Sequence, residues 1–159
     1  MPPPRLILTC GEPAGIGPDL CIEIAGRAWP CELIVAGDTA VLQARAQQLR
    51  RPLSFLPYKP DDVRAEHRAG TLRVLHVPVA APVRPGRLDR ANARHVLQLL
   101  DRAIDGCMAG EFAAMVTAPV QKSVIIDAGN KFSGHTEYLA ERTDRKSTRL
   151  NSSHPYRSR

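Results

Sequence analysis

Short, unbroken apolar runs alternate with longer stretches in which apolar residues return every three or four positions. Arg5–Cys10 (RLILTC) is such a run, as in a strand buried on both faces, and Cys31–Asp38 (CELIVAGD) is a second. Between them Pro18 suits the first position of a helix, in which Leu20, Cys21, Ile24, Ala25 and Ala28 share one side. Residues 39–50 read as the next helix, with Thr39 as its cap.

The middle of the chain is less regular. PLSFL and TLRVLHVPV predict strands on either side of a surface loop, PYKPDDVRAEHRAG. Pro78, Pro82 and Pro85 confine their own segment, PVAAPVRPG, to a sheet edge or a connection. The strongest helix follows, capped by Asp89 and closed by Gly110, with Ala93, Val96, Leu97, Leu100, Ala103, Ile104 and Cys107 on one face. FAAMVTAP predicts another buried strand and VQKSVIIDAG a short helix ending at Gly129. FSGHTE then leads into a last helix. Strands alternating with helices predict an α/β fold, a mostly parallel sheet with helices on both faces. Ligands of such sheets bind beyond the carboxyl ends of the strands. The loops TCGEPAGIGP, VTAPVQK and FSGHTE all belong to that end.

A chain of 159 residues, 43% hydrophobic and only 4% aromatic, is long enough for one domain with layers of aliphatic helices over a sheet. Its net charge of +6 raises the question of nucleic acid, but the charge is unevenly placed. Residues 144–159 hold Arg145, Lys146, Arg149, Arg157 and Arg159 against Asp144 alone. The body has no basic stripe interleaved with aromatics, so nucleic acid is not an expected partner, and no apolar run approaches the ~20 residues of a span, so neither is a membrane. The tail has no hydrophobic periodicity and cuts the last helix short. It predicts a division into a body, 1–143, and a basic tail, 144–159, that resembles adaptor or vector read-through. Four cysteines without metal-ligand spacing, and no secretory leader, predict a reduced, cytoplasmic protein.

Three constellations have chemical potential. The glycines at 11, 15 and 17 either admit a ligand close to the backbone or serve a tight strand-to-helix turn. Their spacing matches neither the dinucleotide fingerprint nor a phosphate-binding Walker loop. Thr117 ends a strand and Lys122 lies one turn into the next helix, so a hydroxyl and an ammonium either meet a phosphate or stay solvated. In GHTE, His135 follows a glycine, Thr136 is placed to cap a helix, and Glu137 complements its positive end. An imidazole there stays neutral, able to donate one hydrogen bond and accept another. His67, His76, His95 and His154 have no paired-ligand spacing.

Together the segments TCGEPAGIGPDL, GEFAAMVTAPVQKSVIIDAG and FSGHTEYLAERT resemble the 4-hydroxythreonine-4-phosphate dehydrogenase family of pyridoxal phosphate biosynthesis, in order from Arg5 to Thr143. The resemblance implies a homodimeric enzyme with the fold of the isocitrate and isopropylmalate dehydrogenases, here truncated. It implies NAD or NADP and a divalent metal (Zn, Mg or Co) as cofactors. It also implies oxidation of a phosphorylated hydroxy-amino acid at its hydroxyl, followed by decarboxylation. The family's substrate-binding pair falls on His135 and Thr136; Thr117, Lys122 and Glu12 lie in matching motifs without a firm role.

The family's metal-binding histidines all follow its GHTE motif, where this chain has only His154, in the tail. The resemblance therefore implies that the chain lacks its metal site and is inactive alone. Two further readings stand beside it: a sister enzyme acting on phosphorylated threonate or erythronate, and a non-catalytic domain that binds a phosphorylated metabolite.

Overall fold

The computed structural model describes residues 1–143; the tail predicted from residue 144, with His154, lies outside them. The five strands are β1 (Arg5–Thr9), β2 (Glu32–Gly37), β3 (Ser54–Pro57), β4 (Thr71–His76) and β5 (Ala114–Thr117). They form one sheet in the order β3-β4-β2-β1-β5, every pair parallel. The helices are α1 (Gly17–Ala25), α2 (Thr39–Gln48), α3 (Ala93–Met108), α4 (Lys122–Asp127) and α5 (His135–Thr143). The predicted fold class is therefore observed.

Chain order explains the layering. From β1 the chain steps through α1 to β2 and through α2 to β3, always away from β5. After β4 it returns through α3 to β5, on the other side of β1. Right-handed crossovers in opposite directions place α1 and α2 over one face and α3 over the other. α1 and α2 pack on each other, whereas α3 packs on β1, β2, β5, α4 and α5. The direction reverses between β1 and β5, which opens a crevice beyond their carboxyl ends.

The main core joins Ile7, Leu8, Ile34, Val35, Leu72 and Val74 of the sheet to Cys21, Leu42 and Leu99 of the helices. A second cluster, Val96, Leu100, Val124, Ile125 and Phe132, fastens α4 and the segment after it to α3. At the amino ends of the strands, Arg5 and Glu32 are buried as an ion pair at 2.7 Å.

Several local expectations are corrected. β5 is not a buried strand: it is outermost in the described sheet, leaving Ala114 exposed and Val116 52% exposed. α1 stops at Ala25, short of Ala28. Asp38, not Thr39, caps α2, because its extended backbone lets Oδ1 accept the Ala40 and Val41 N–H groups at 2.9 and 3.2 Å. Asp89 accepts the Ala91 N–H and so caps a 3-10 turn, Arg90–Asn92, that leads into α3. The Pro-rich segment is a connection, a strap from β4 to α3. His95 and Leu99 widen the buried face of α3 beyond the predicted stripe. His67 is also buried, its Nε2 against the Ala25 carbonyl at 3.1 Å.

Candidate functional site

The crevice begins where β1 ends. Thr9 pairs in register with Thr117, and the Ala118 N–H donates to the Thr9 carbonyl at 3.0 Å. Gly11 turns the chain at φ +73°, after which the Glu12 N–H donates to the Pro119 carbonyl at 3.1 Å. A β-carbon on Gly11 would overlap that carbonyl, and one on Gly17 would overlap the carbonyl of Cys10. The tight turn thus explains both glycines.

That turn carries Glu12 into the crevice. The side chain is buried, and one carboxylate oxygen accepts the Ala14 N–H at 3.0 Å. Burial raises its pKa above the usual carboxylate range; the Ala14 hydrogen bond opposes this, and the charge of Asp89 adds to it. Beside it the buried Thr9 hydroxyl has no hydrogen-bond partner among the described residues. Thr117 is half-buried at the strand end. Lys122 is exposed and is the first residue of α4 rather than one turn in, which corrects its expected position. The Cys10 thiol is pushed well above the usual thiol range by its hydrogen bond with Cys21 and by burial, so it is no nucleophile at neutral pH.

His135 opens α5. Gly134, at φ +150°, makes the sharp entry, and its carbonyl accepts the Tyr138 N–H at 3.1 Å. The imidazole packs edge-on against buried Phe132, with ring centres 6.1 Å apart. Its Nε2 is buried without a hydrogen-bond partner among the described residues. Burial lowers its pKa, which keeps the ring neutral at pH 7. Thr136 is exposed within the first turn, so it does not cap the helix as expected. Tyr138 donates to Asp101, and Arg142 meets Asp101 and Asp105 at 3.3 and 2.8 Å, which docks α5 on α3. Alongside lies a cleft of about 460 Å³ lined by Asn130, Lys131, Ser133, Glu137 and Glu141 among others. The structure thus places Thr117 at the end of β5, two residues before the Pro119 carbonyl that accepts the Glu12 N–H, and places His135 and Thr136 together on α5. No hydrogen bond joins the two pairs among the described residues.

Asn92 and Asp38 were not singled out from the sequence. Asn92 is buried; its Oδ1 accepts the Ala80 and Ala81 N–H groups at 2.9 and 2.8 Å, and its Nδ2 donates to the Ala81 carbonyl. Asp38 Oδ2 accepts the Val79 N–H at 2.9 Å. The strap is held over the carboxyl ends of the strands by these two side chains. Their local signal, an Asx residue before a helix, is indistinguishable from ordinary capping. Asn92→Ala is expected to lower stability by about 1–3 kcal/mol, since three backbone groups lose their partner. Urea unfolding checks the magnitude, and faster amide exchange at Ala80 and Ala81 checks the cause.

His95 is buried on α3, with Nδ1 at 3.1 Å from the Pro78 carbonyl. Burial lowers its pKa, as at His135, although the Pro78 hydrogen bond and the Asp38 charge oppose this. With a lowered folded pKa, the folded state binds fewer protons than the unfolded one. Stability is then complete above the unfolded histidine value and lost as pH falls below it. The urea midpoint should drop between about pH 7.5 and 5.5, and His95→Asn should flatten that slope. A midpoint flat across the range contradicts the assignment.

Among the described residues no group of three His, Cys, Asp or Glu side chains is placed to hold a metal. Gly11 and Gly17 lie against the protein's own carbonyls, a close approach that only glycine allows. No described helix is long and apolar enough to cross a membrane.

A parallel sheet with its crevice at a reversal of strand order is the scaffold of an α/β dehydrogenase, and solved structures of that kind share it. One is 4-hydroxythreonine-4-phosphate dehydrogenase from Klebsiella pneumoniae, with a TM-score of 0.78 and 28% identity over 89% of this chain and 45% of that one. Another, from Burkholderia phymatum, has a TM-score of 0.77 and 26% identity over 89% and 44%. The family model described as pyridoxal phosphate biosynthetic protein PdxA matches residues 29–153, and the chain belongs to that family. Among curated relatives, the 4-hydroxythreonine-4-phosphate dehydrogenase of Salmonella arizonae is 52% identical over 142 residues, 89% of this chain and 43% of its own length. That of Aromatoleum aromaticum is 54% identical over 140 residues, 88% and 41%. The chain therefore spans less than half the length of these relatives.

Proposed function

We propose that the chain is the amino-terminal part of an NAD(P)- and divalent-metal-dependent 4-hydroxythreonine-4-phosphate dehydrogenase, a homodimer in its complete form. Its likeness to curated relatives of that name, 52% identical over 142 residues, carries this reading. The complete enzyme oxidises the substrate hydroxyl and releases carbon dioxide, in the service of pyridoxal phosphate synthesis. The four free thiols accord with a reduced, cytoplasmic setting.

Within this chain His135 and Thr136 are the proposed substrate contacts. The neutral imidazole has a buried Nε2 without a described partner, and a substrate oxygen or ammonium would satisfy it. Thr136, exposed one residue on, offers its hydroxyl from the same helix end. Glu12, Thr117 and Lys122 are proposed as weaker contacts of the substrate or its phosphate. The described residues do not compose a metal site, so no chemical step is assigned to a metal here.

The proposed limits of the chain follow. It should bind 4-phosphooxy-threonine but oxidise none of it when NAD or NADP and a divalent metal are supplied. His135→Ala should weaken binding about tenfold or more, the loss of one buried hydrogen bond. Calorimetric titration with and without the substitution tests this. Equal affinity in the two proteins removes His135 from the site, and full turnover by the 159-residue chain overturns the proposed division of labour.

A further inference from the structure

The strap between β4 and α3 is built more firmly than a connection requires. Beyond its bonds to Asp38 and Asn92, the Gly86 N–H donates to the Ala14 carbonyl of the glycine loop at 2.8 Å. The Arg87 N–H donates to the Arg84 carbonyl at 2.9 Å around Pro85 and Gly86, the latter at φ +80°. Proline followed by glycine at positive φ makes a type II turn, with the proline ring fixing one of its dihedrals. Val83 and Pro85 line a cavity of about 50 Å³ with Pro13, Val41 and Ala44, so they face α2. Arg84 and Arg87 line a different cleft, of about 270 Å³, with Pro82, Leu88 and Asp89.

Arg5, Arg45, Arg51, Arg73, Arg102 and Arg142 each meet a carboxylate. Arg84 and Arg87 meet none among the described residues, although one fixed turn holds them together. Asp89, the acid of the same cleft, is engaged with the Ala91 N–H at 2.9 Å. Two arginines on a rigid turn repel each other until an anion accepts from both. A phosphate monoester, with two charges and several acceptor oxygens, does this best. The turn that carries both arginines also adjoins the glycine loop, through the Gly86 N–H and the Ala14 carbonyl.

We propose that Arg84 and Arg87 form a subsite for a phosphate monoester, carried by the phosphorylated substrate or by the 2′-phosphate of the cofactor. The subsite deepens the proposed function and rests on it only for the source of the phosphate.

The test is titration of the full chain with inorganic phosphate at low salt, followed by amide chemical shifts. Arg84→Ala/Arg87→Ala should weaken binding at least tenfold, and Arg84→Lys/Arg87→Lys should weaken it less. Arg27→Ala/Arg68→Ala, which removes two exposed arginines elsewhere, should leave binding unchanged. Equal weakening by both alanine pairs, or no saturable binding to the parent chain, overturns the subsite. The source is read with 4-phosphooxy-threonine against 4-hydroxythreonine, and with NADP against NAD. Whichever phosphate-dependent preference the Arg84/Arg87 pair abolishes identifies the ligand. If inorganic phosphate binds through the two arginines but neither preference exists, the assignment of the subsite to the substrate or the cofactor is overturned.

Discussion

Glu32→Ala is expected to destabilise the chain by about 3–5 kcal/mol, enough to unfold a marginal domain. Glu32 is 2% exposed and pairs with Arg5, itself 3% exposed, at 2.7 Å. Arg73 adds a second charge at 3.8 Å. Removing the carboxylate leaves Arg5 buried with only neutral acceptors, the Tyr58 hydroxyl and the Pro60 and Asp62 carbonyls at 3.2–3.3 Å. The desolvation cost of that guanidinium then has only the charge of Glu111, with which it makes no ion pair, to offset it. Replacing both partners, Arg5→Met with Glu32→Leu, should cost far less than either single removal. Guanidinium unfolding of the three proteins checks this, and a double variant no more stable than Glu32→Ala contradicts the account.

Gly17→Ala should be at least as damaging. Its β-carbon would overlap the carbonyl of Cys10, the residue after β1, whose N–H is fixed to the Ala36 carbonyl of β2 at 3.0 Å and cannot move without displacing the sheet. Gly11→Ala meets the same obstacle at Pro119 and also needs φ +73°. Gly110 supplies the control: its φ is +80°, but nothing lies within 4 Å of an added β-carbon. Gly110→Ala should therefore cost only about 1 kcal/mol, the strain of the left-handed conformation. Soluble yield and thermal midpoint of the three variants separate backbone overlap from dihedral strain. If Gly17→Ala melts with Gly110→Ala, the close packing of the glycine loop on β1 is wrong.

Much of the site was legible locally. The GHTE segment reads as a glycine entry to a helix, and the structure has His135 there, at the start of α5. The buried, unpartnered Nε2 was not legible, because it depends on Phe132 being held by Val96 and Leu100 of α3. The glycine loop shows the reverse. Its sequence permits both a ligand cradle and a tight turn, and only the neighbouring carbonyls of Cys10 and Pro119 show that the turn itself requires glycine at 17 and 11. The loop between β3 and β4 read as plain surface, yet its Pro60 and Asp62 carbonyls help hold buried Arg5.

The sequence by itself determined the elements and the class of sheet. Apolar runs, helical spacing and glycine or proline punctuation act over a few residues, where local sterics and burial patterns suffice. Its motifs determined the family as well. Only the tertiary structure decided the strand order β3-β4-β2-β1-β5, and with it the crevice between β1 and β5. It also decided that β5 is outermost in the described sheet, that Asn92 and Asp38 hold the strap, and that Arg84 and Arg87 share one cleft. Each of these is a contact between residues distant in the chain, and no local pattern encodes which partner a buried donor or an unpaired charge will meet.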